Sequence, residues 1–368
     1  MANDGELPEA GALLAEAVAV RDEVEVGELE QQRRRWLSAQ LEALICVAET
    51  AAGMAVGWQE AVLRCYGIEV AVLPEDRFAQ AHARLDTVLP GGGGLADRLE
   101  RWNESQQVPP EKLLDGFNAL TEELRRRTRR LVDLPDGEQI EAEIVSGKPW
   151  NAYNWYRGQL KSRIEINTDL PIRSYDLAIM AAHEGYPGHH TEHACKEAHL
   201  VGDLGRLEAS ILLIHTPECL ISEGIAEVAL VQALGENWAR QVAEILRPLT
   251  IPFDPEVARV VVDASSTLDN VNVNVAYFAH ERGLETDELI GYHRRWALSE
   301  EDRARKAVAF ITHPFWGAYV PTYSVGHRLV HAYTAHQPEN LRRLLTEQLT
   351  TADLLNNDTP ASPAQAIG

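Results

Sequence analysis

Almost the whole chain spaces its apolar residues as helices do, and only one short stretch departs from that period. Trp36, Leu37, Leu41, Leu44 and Ile45 recur three to four residues apart, as one buried face of an amphipathic helix demands. Pro74, the run 90–94 and Pro109-Pro110 punctuate further helices, since proline removes a backbone donor and glycine frees the backbone. The exception lies between Gln139 and Asn167. There QIEAEIVSG, NAYNWYRGQ and SRIEINTD are short β-branched or aromatic runs, roughly alternating and separated by Gly, Pro and Ser turns. They predict a small antiparallel sheet of two or three strands. Helical patterning then returns over 174–197, 217–235, 255–283, 286–298, 299–312 and 316–336. No repeat period and no βαβ alternation occurs, so the expected fold is mainly α: a multi-helix array with a small antiparallel β-sheet beside a central cleft.

The chain has 368 residues, of which 45% are apolar, enough to bury a full core. One mostly helical domain is expected over 28–355, with N-terminal helices over 28–138, the sheet over 139–167 and the helices of the functional site over 171–350. Residues 1–27, rich in Ala and Glu, predict a flexible or loosely attached segment. The polar tail 356–368, with Pro360 and Pro363, predicts disorder.

A formal charge of −22 argues against a nucleic-acid partner, which requires a concentrated basic surface. The one basic run, 125–130, follows Glu122 and Glu123 and reads as a solvated helix face. The N-terminus lacks the basic and apolar regions of a signal peptide, and no apolar run approaches the roughly 18 to 20 residues that span a bilayer. A soluble, cytoplasmic protein without a membrane partner is expected. Cys46, Cys65, Cys195 and Cys219 are scattered without a CxxC spacing and are expected to be reduced and structural.

The densest chemistry is HEGYPGHHTEH, residues 183–193, with four histidines and two glutamates. A zinc hydrolase needs imidazoles or carboxylates converging on one ion, an open position for water, and a carboxylate to take that water's proton. HExxH spacing is absent after His183, because position 187 is Pro187. Two pairings remain. His183 with His189 would leave Glu184 as general base, but on a regular helix these two lie about 120° apart and roughly 9 Å along the axis. Pro187-Gly188 could relieve that separation by breaking the helix. His189 with His193, four apart and with Glu192 before the second, reads as an inverted HxxEH pattern and is favoured by spacing alone. The apolar run 177–182 leads into the motif and buries His183, and buried imidazoles and carboxylates need partners such as a metal supplies.

HEGYPGHH, followed some thirty residues later by SEGIAE and much later by Tyr-Ser-x-Gly, resembles the bacterial domain-of-unknown-function (885) family. The resemblance covers roughly Gln139 to Leu329, including WYRGQLKSRIEINTDLP. The family's helical fold is similar to that of carboxypeptidase Taq type zinc metallopeptidases. The resemblance implies His183 and His189 as metal ligands and Glu184 as base, with His190 a rival for His189. It implies Glu223 as the third ligand, and Glu227, four residues on, as a partner to a ligating histidine. Ile225 stands where the family commonly carries tryptophan. By the same resemblance Tyr323 donates to a developing oxyanion; His327, four residues later on the same helix face, is expected to assist or to bind substrate, and the guanidinium of Arg328 suits a substrate carboxylate. Asn270, Asn272 and Asn274 read as structural.

The function expected from these residues is a zinc metallopeptidase or metallohydrolase acting on amide or peptide bonds, carboxypeptidase-like, with a small peptide or small molecule as substrate. Two alternatives stand beside it. Two histidines and a carboxylate could hold non-haem iron in a lyase or oxygenase of a small metabolite, or the chain could be a binding protein with a degenerate site.

Overall fold

The computed structural model describes residues 9–356 apart from 336 and 338; most of the tail expected to be disordered lies outside the described residues. Six helices open the chain: α1 (Ala10–Val26), α2 (Gln31–Ala51), α3 (Trp58–Tyr66), α4 (Glu75–Val88), α5 (Leu95–Ser105) and α6 (Leu113–Thr128). Three strands follow, β1 (Gln139–Val145), β2 (Ala152–Tyr156) and β3 (Lys161–Asn167). Helices complete it: α7 (Ser174–Met180), α8 (His189–Lys196), α9 (Pro217–Leu234), α10 (Trp238–Leu246), α11 (Pro255–Leu268), α12 (Asn270–Arg282), α13 (Thr286–Ala297), α14 (Glu301–Ile311), α15 (Pro321–Thr334), α16 (Glu339–Thr346) and α17 (Thr351–Leu355). The fold is mainly helical with one small sheet. Helix α1 packs on α2 and buries none of its own residues.

The sheet corrects the antiparallel expectation: it is mixed, in the order β1-β3-β2. Strands β2 and β3 form an antiparallel hairpin, whereas β1 runs parallel to β3, with Gln139 opposite Lys161. The last strand in sequence enters between the first two. Its residues 164–167 are all buried, as a central strand requires, while β1 leaves Gln139, Glu141 and Ile144 exposed and β2 leaves Tyr153 and Trp155 exposed.

Helix α9 is the hub. It is apolar nearly all round and therefore central, capped by Thr216 accepting from the Cys219 amide and started by Pro217. Both apolar clusters of the protein include its residues: one joins it to α11–α15, the other to α6, α7, α10 and β3. Helix α15 packs against it at glycine-to-glycine distance. A Cβ on Gly224 would stand 2.4 Å from the Gly326 carbonyl oxygen, and one on Gly326 2.6 Å from that of Leu220.

The expected helix over 174–197 is interrupted at the Pro-Gly step. After α7 the backbone widens into a π-helical turn over Ala181–Gly185, breaks over 186–188, and restarts as α8 at His189. The Gly188 amide donates to the Ala182 carbonyl at 3.0 Å. The fold-back is so tight that a Cβ on Gly188 would lie 2.0 Å from the His183 carbonyl oxygen.

Candidate metal centre

Breaking the helix lets His183 and His189 meet. Their rings stand 4.7 Å apart, nearly perpendicular at 88°. Glu223, projecting from α9, faces both: its Oε2 lies 3.5 Å from His183 Nε2 and 3.9 Å from His189 Nε2. Among the described residues this is the one group of three or more His, Cys, Asp or Glu side chains whose ligand atoms converge. Tetrahedral zinc with bonds of about 2.1 Å separates its ligand atoms by roughly 3.4 Å; the Glu223–His183 distance is close to that and the Glu223–His189 distance somewhat longer. Glu223 Oε2 is buried and has no hydrogen-bond partner, which is the cost a cation in that position would remove.

The three groups are nine-tenths buried or nearly so, with 15%, 15% and 12% of their side chains exposed. Burial pushes the His183 imidazole toward neutrality, but Glu223, Glu184 and Glu227 outweigh it and hold its pKa up to about 9. His189 is also raised, against burial, by Glu192 and Glu223. Burial opposes ionisation of Glu223, yet the two histidines keep its carboxyl below the usual range. The centre without an ion therefore carries protons that a metal would displace.

Supporting contacts separate the ligand candidates from their sequence rivals. His190 is fully buried and points away from the centre: its Nδ1 is 2.8 Å from Ser162 Oγ on β3 and its Nε2 3.1 Å from Glu138 Oε2. Arg125 donates to the other oxygen of Glu138 at 2.6 Å, and Tyr186 donates to the same carboxylate. His193 stacks between Tyr156 and His189, at 5.0 and 6.3 Å, and burial lowers its pKa to about 4. The inverted His189–His193 pairing thus brings no second imidazole to Glu223.

Glu184 is 9% exposed, and its charge acts on both His183 and His189. Its backbone carbonyl accepts from Asn154 of β2 at 2.6 Å, which is how the sheet fixes this turn. Glu227 Oε1 approaches His183 Nδ1 only to 3.6 Å, too far for a direct hydrogen bond. Tyr319, just before α15, donates to Glu223 Oε1 at 2.9 Å. Tyr323 packs edge-on to Tyr319 at 5.6 Å and is 40% exposed.

His327 and Arg328 stand apart from this group. His327 faces a cavity of about 670 Å³ behind Glu227, also lined by Asp269, Asn272, His293 and His331; none of the three ligand candidates lines it. Burial, with His331 and Arg328 nearby, lowers the His327 pKa to about 4. Arg328 donates to Asn270 Oδ1 at 2.5 Å and has no carboxylate in ion-pair reach among the described residues. Asn274 is structural, exchanging two 2.8 Å hydrogen bonds with the Leu73 backbone. Ile225 is wholly buried in the core.

Several residues around the centre carry no motif signal. Ser222 Oγ donates to Glu192 Oε2 at 2.5 Å and lies 3.2 Å from His189 Nδ1. Lys196 donates to Glu192 at 2.7 Å and to Glu218 at 2.9 Å. Only the four-residue spacing of Glu192 and Lys196 hints at this pairing in sequence. His215, 3% exposed and at φ 59°, has its Nδ1 2.7 Å from the Tyr66 hydroxyl and packs its ring near Phe315 and Tyr319.

No family model matches this chain. No curated protein matches it either. Two solved structures share its fold. One, described as "the putative lipoprotein from Colwellia psychrerythraea", superposes with a TM-score of 0.60 at 16% identity, covering 92% of this chain and 65% of that one. The other, described as "a putative lipoprotein of unknown function from Shewanella oneidensis", gives 0.52 at 11% identity over 94% and 72% of the two chains. The chain thus spans about two thirds of the first one's length, and at these identities the likeness is one of fold alone. Among the described residues, no helix is long and apolar enough to cross a membrane.

Proposed function

We propose that the chain is a metal-dependent hydrolase of amide or peptide bonds, with His183, His189 and Glu223 holding zinc. The observation that carries this reading is the buried, unpartnered Glu223 Oε2 facing two imidazole nitrogens at 3.5 and 3.9 Å. The resemblance of HEGYPGHH and SEGIAE to the bacterial domain-of-unknown-function (885) family, and through it to carboxypeptidase Taq type peptidases, supports the same assignment. Zinc bound there would supply a Lewis acid for a carbonyl and acidify a water.

The chain's own groups divide the remaining work. Glu184, next to the first ligand, accepts the proton of the attacking water and returns it to the leaving amine. Tyr319 orients Glu223 through its 2.9 Å hydrogen bond. Tyr323, one helical turn on and open to solvent, donates to the oxyanion as the carbonyl becomes tetrahedral. Arg328, bonded to Asn270 away from the centre, is given no part in this reading.

The test is metal analysis of protein purified without added metal, followed by hydrolysis assays on short peptides and N-acyl amino acids. One zinc per chain, with a Glu184→Gln variant that keeps the zinc and loses about 10² to 10⁴ in rate, is the expected result. Stoichiometric iron with oxygen-dependent turnover would replace the zinc reading with the non-haem iron one. Unchanged hydrolysis in Glu184→Gln would remove Glu184 from the mechanism.

A further inference from the structure

Beneath His189 runs a chain of buried polar groups that no motif announces. Its first member is Ser222, one residue before Glu223 on α9. The Ser222 hydroxyl lies between two groups, Glu192 Oε2 at 2.5 Å and His189 Nδ1 at 3.2 Å. A carboxylate can only accept, so the hydroxyl proton goes to Glu192 and a lone pair of Oγ faces the imidazole. His189 then carries its own proton on Nδ1 and donates it to Ser222. That leaves Nε2, the nitrogen facing Glu223, with a free lone pair. Glu192 reaches His189 directly only at 4.0 Å, so without Ser222 the carboxylate would not hold the ring.

Glu192 is itself held. It is 1% exposed, on α8, and its other oxygen accepts from Lys196 one turn later at 2.7 Å. Lys196, 7% exposed, is shared with Glu218 of α9 at 2.9 Å. One ammonium thus clamps two buried carboxylates from two helices, and ties the helix that supplies His189 to the helix that supplies Glu223. A buried ion pair of this kind is weak evidence for stability, because desolvation costs about as much as the attraction returns.

We propose that Lys196 is a positioning residue for the metal centre, acting through Glu192 and Ser222 to fix the ring orientation and tautomer of His189. This rests on the reading of His183, His189 and Glu223 as metal ligands. Outer hydrogen-bond partners of ligating histidines typically contribute 10- to 100-fold to metal affinity, and the relay has the geometry of such a partner extended by two links.

The test is zinc affinity of the full chain by chelator competition, for the wild type and for Ser222→Ala, Lys196→Met and the double variant, with thermal unfolding of each metal-free protein alongside. Each single variant should bind zinc about 10- to 100-fold more weakly. The double variant should bind no more weakly than the worse single one, because both break the same relay. A purely structural role would give additive losses that track the fall in unfolding temperature. Should Lys196→Met fail to fold, the same cycle is run with Glu192→Gln and Ser222→Ala. Wild-type protein that binds no zinc would overturn the metal assignment itself. Wild-type binding with Ser222→Ala at wild-type affinity, or additive losses in the cycle, would overturn the relay and leave the metal assignment standing.

Discussion

Gly224 and Gly326 touch backbone to backbone, and this contact brings the Tyr319–Tyr323 segment onto Glu223. A side chain at position 224 would meet the Gly326 carbonyl at 2.4 Å and Val330 Cγ2 at 2.6 Å. Gly224→Ala is therefore expected to force α9 and α15 apart and to cost at least about 2 kcal/mol, within the usual range for overpacking. Thermal unfolding measures the loss. A variant as stable as the wild type would show that the crossing has slack.

Gly188→Ala tests the break in the motif. Its methyl would collide with the His183 carbonyl oxygen at 2.0 Å and that of Ala182 at 2.4 Å, both rigid backbone atoms. The expected outcome is loss of stoichiometric metal together with a lower unfolding temperature, read by metal analysis and circular dichroism. Full metal content would mean that the ligands do not depend on the fold-back.

The two tyrosines before and within α15 should separate cleanly. Tyr319→Phe removes the donor to Glu223 Oε1 and leaves a second oxygen of that carboxylate unpaired. It is expected to weaken zinc binding by about 10-fold. Tyr323→Phe should leave zinc affinity unchanged and lower kcat by about 10² to 10³, the usual loss of one oxyanion donor. Equal effects of both on affinity would place Tyr323 among the supports of the ligand.

Zinc affinity should climb with pH. In the metal-free protein burial disfavours the His183 imidazolium, but Glu223, Glu184 and Glu227 prevail and raise its pKa to about 9. A ligating imidazole must be neutral, so below that value each ion displaces a proton. Affinity is expected to rise about tenfold per pH unit until it levels near pH 9. Titrations at pH 6, 7, 8 and 9 measure the slope, and a flat profile would remove His183 from the ligand set.

Acid stability follows from other histidines. Burial lowers both His215 and His293 to about 4. Unfolded, each takes up a proton near pH 6.5, which the folded protein refuses until about pH 4. Neither affects stability above pH 6.5, where both states are neutral, and each destabilises the fold as pH falls through that window, by roughly 1.4 kcal/mol per unit. His293→Gln should flatten the decline in urea midpoint between pH 6.5 and 4. An unchanged slope would show that His293 does not contribute.

Helical class and the place of the strands could be read from residue patterns, because each follows from local period; the grouping of His183, His189 and Glu223 rests instead on the family resemblance, since spacing alone favours His189 with His193. Strand order could not be read from pattern. Alternation marks a strand but says nothing about its neighbours, and only the burial of residues 164–167 in β3 identifies the central one. The Lys196 clamp was equally hidden. Glu192 and Lys196 at four-residue spacing look like an ordinary surface pair, and it is the tertiary approach of Glu218 and Ser222 that turns them inward. His327 shows the reverse error: helical spacing put it on the face of Tyr323, but the helix carries it past the centre to the cavity behind Glu227.

Adjacent residues at the start of α8 project about 100° apart, so the histidine doublet straddles a wall. His189 looks out at Glu223 while His190 is bolted inward to Glu138 and Ser162. Were His189 lost, swinging His190 outward would leave the Ser162 hydroxyl without its imidazole partner and take one of its hydrogen bonds from Glu138, which Arg125 and Tyr186 would still hold, so a doublet that spells the same letter twice does not offer two equivalent side chains.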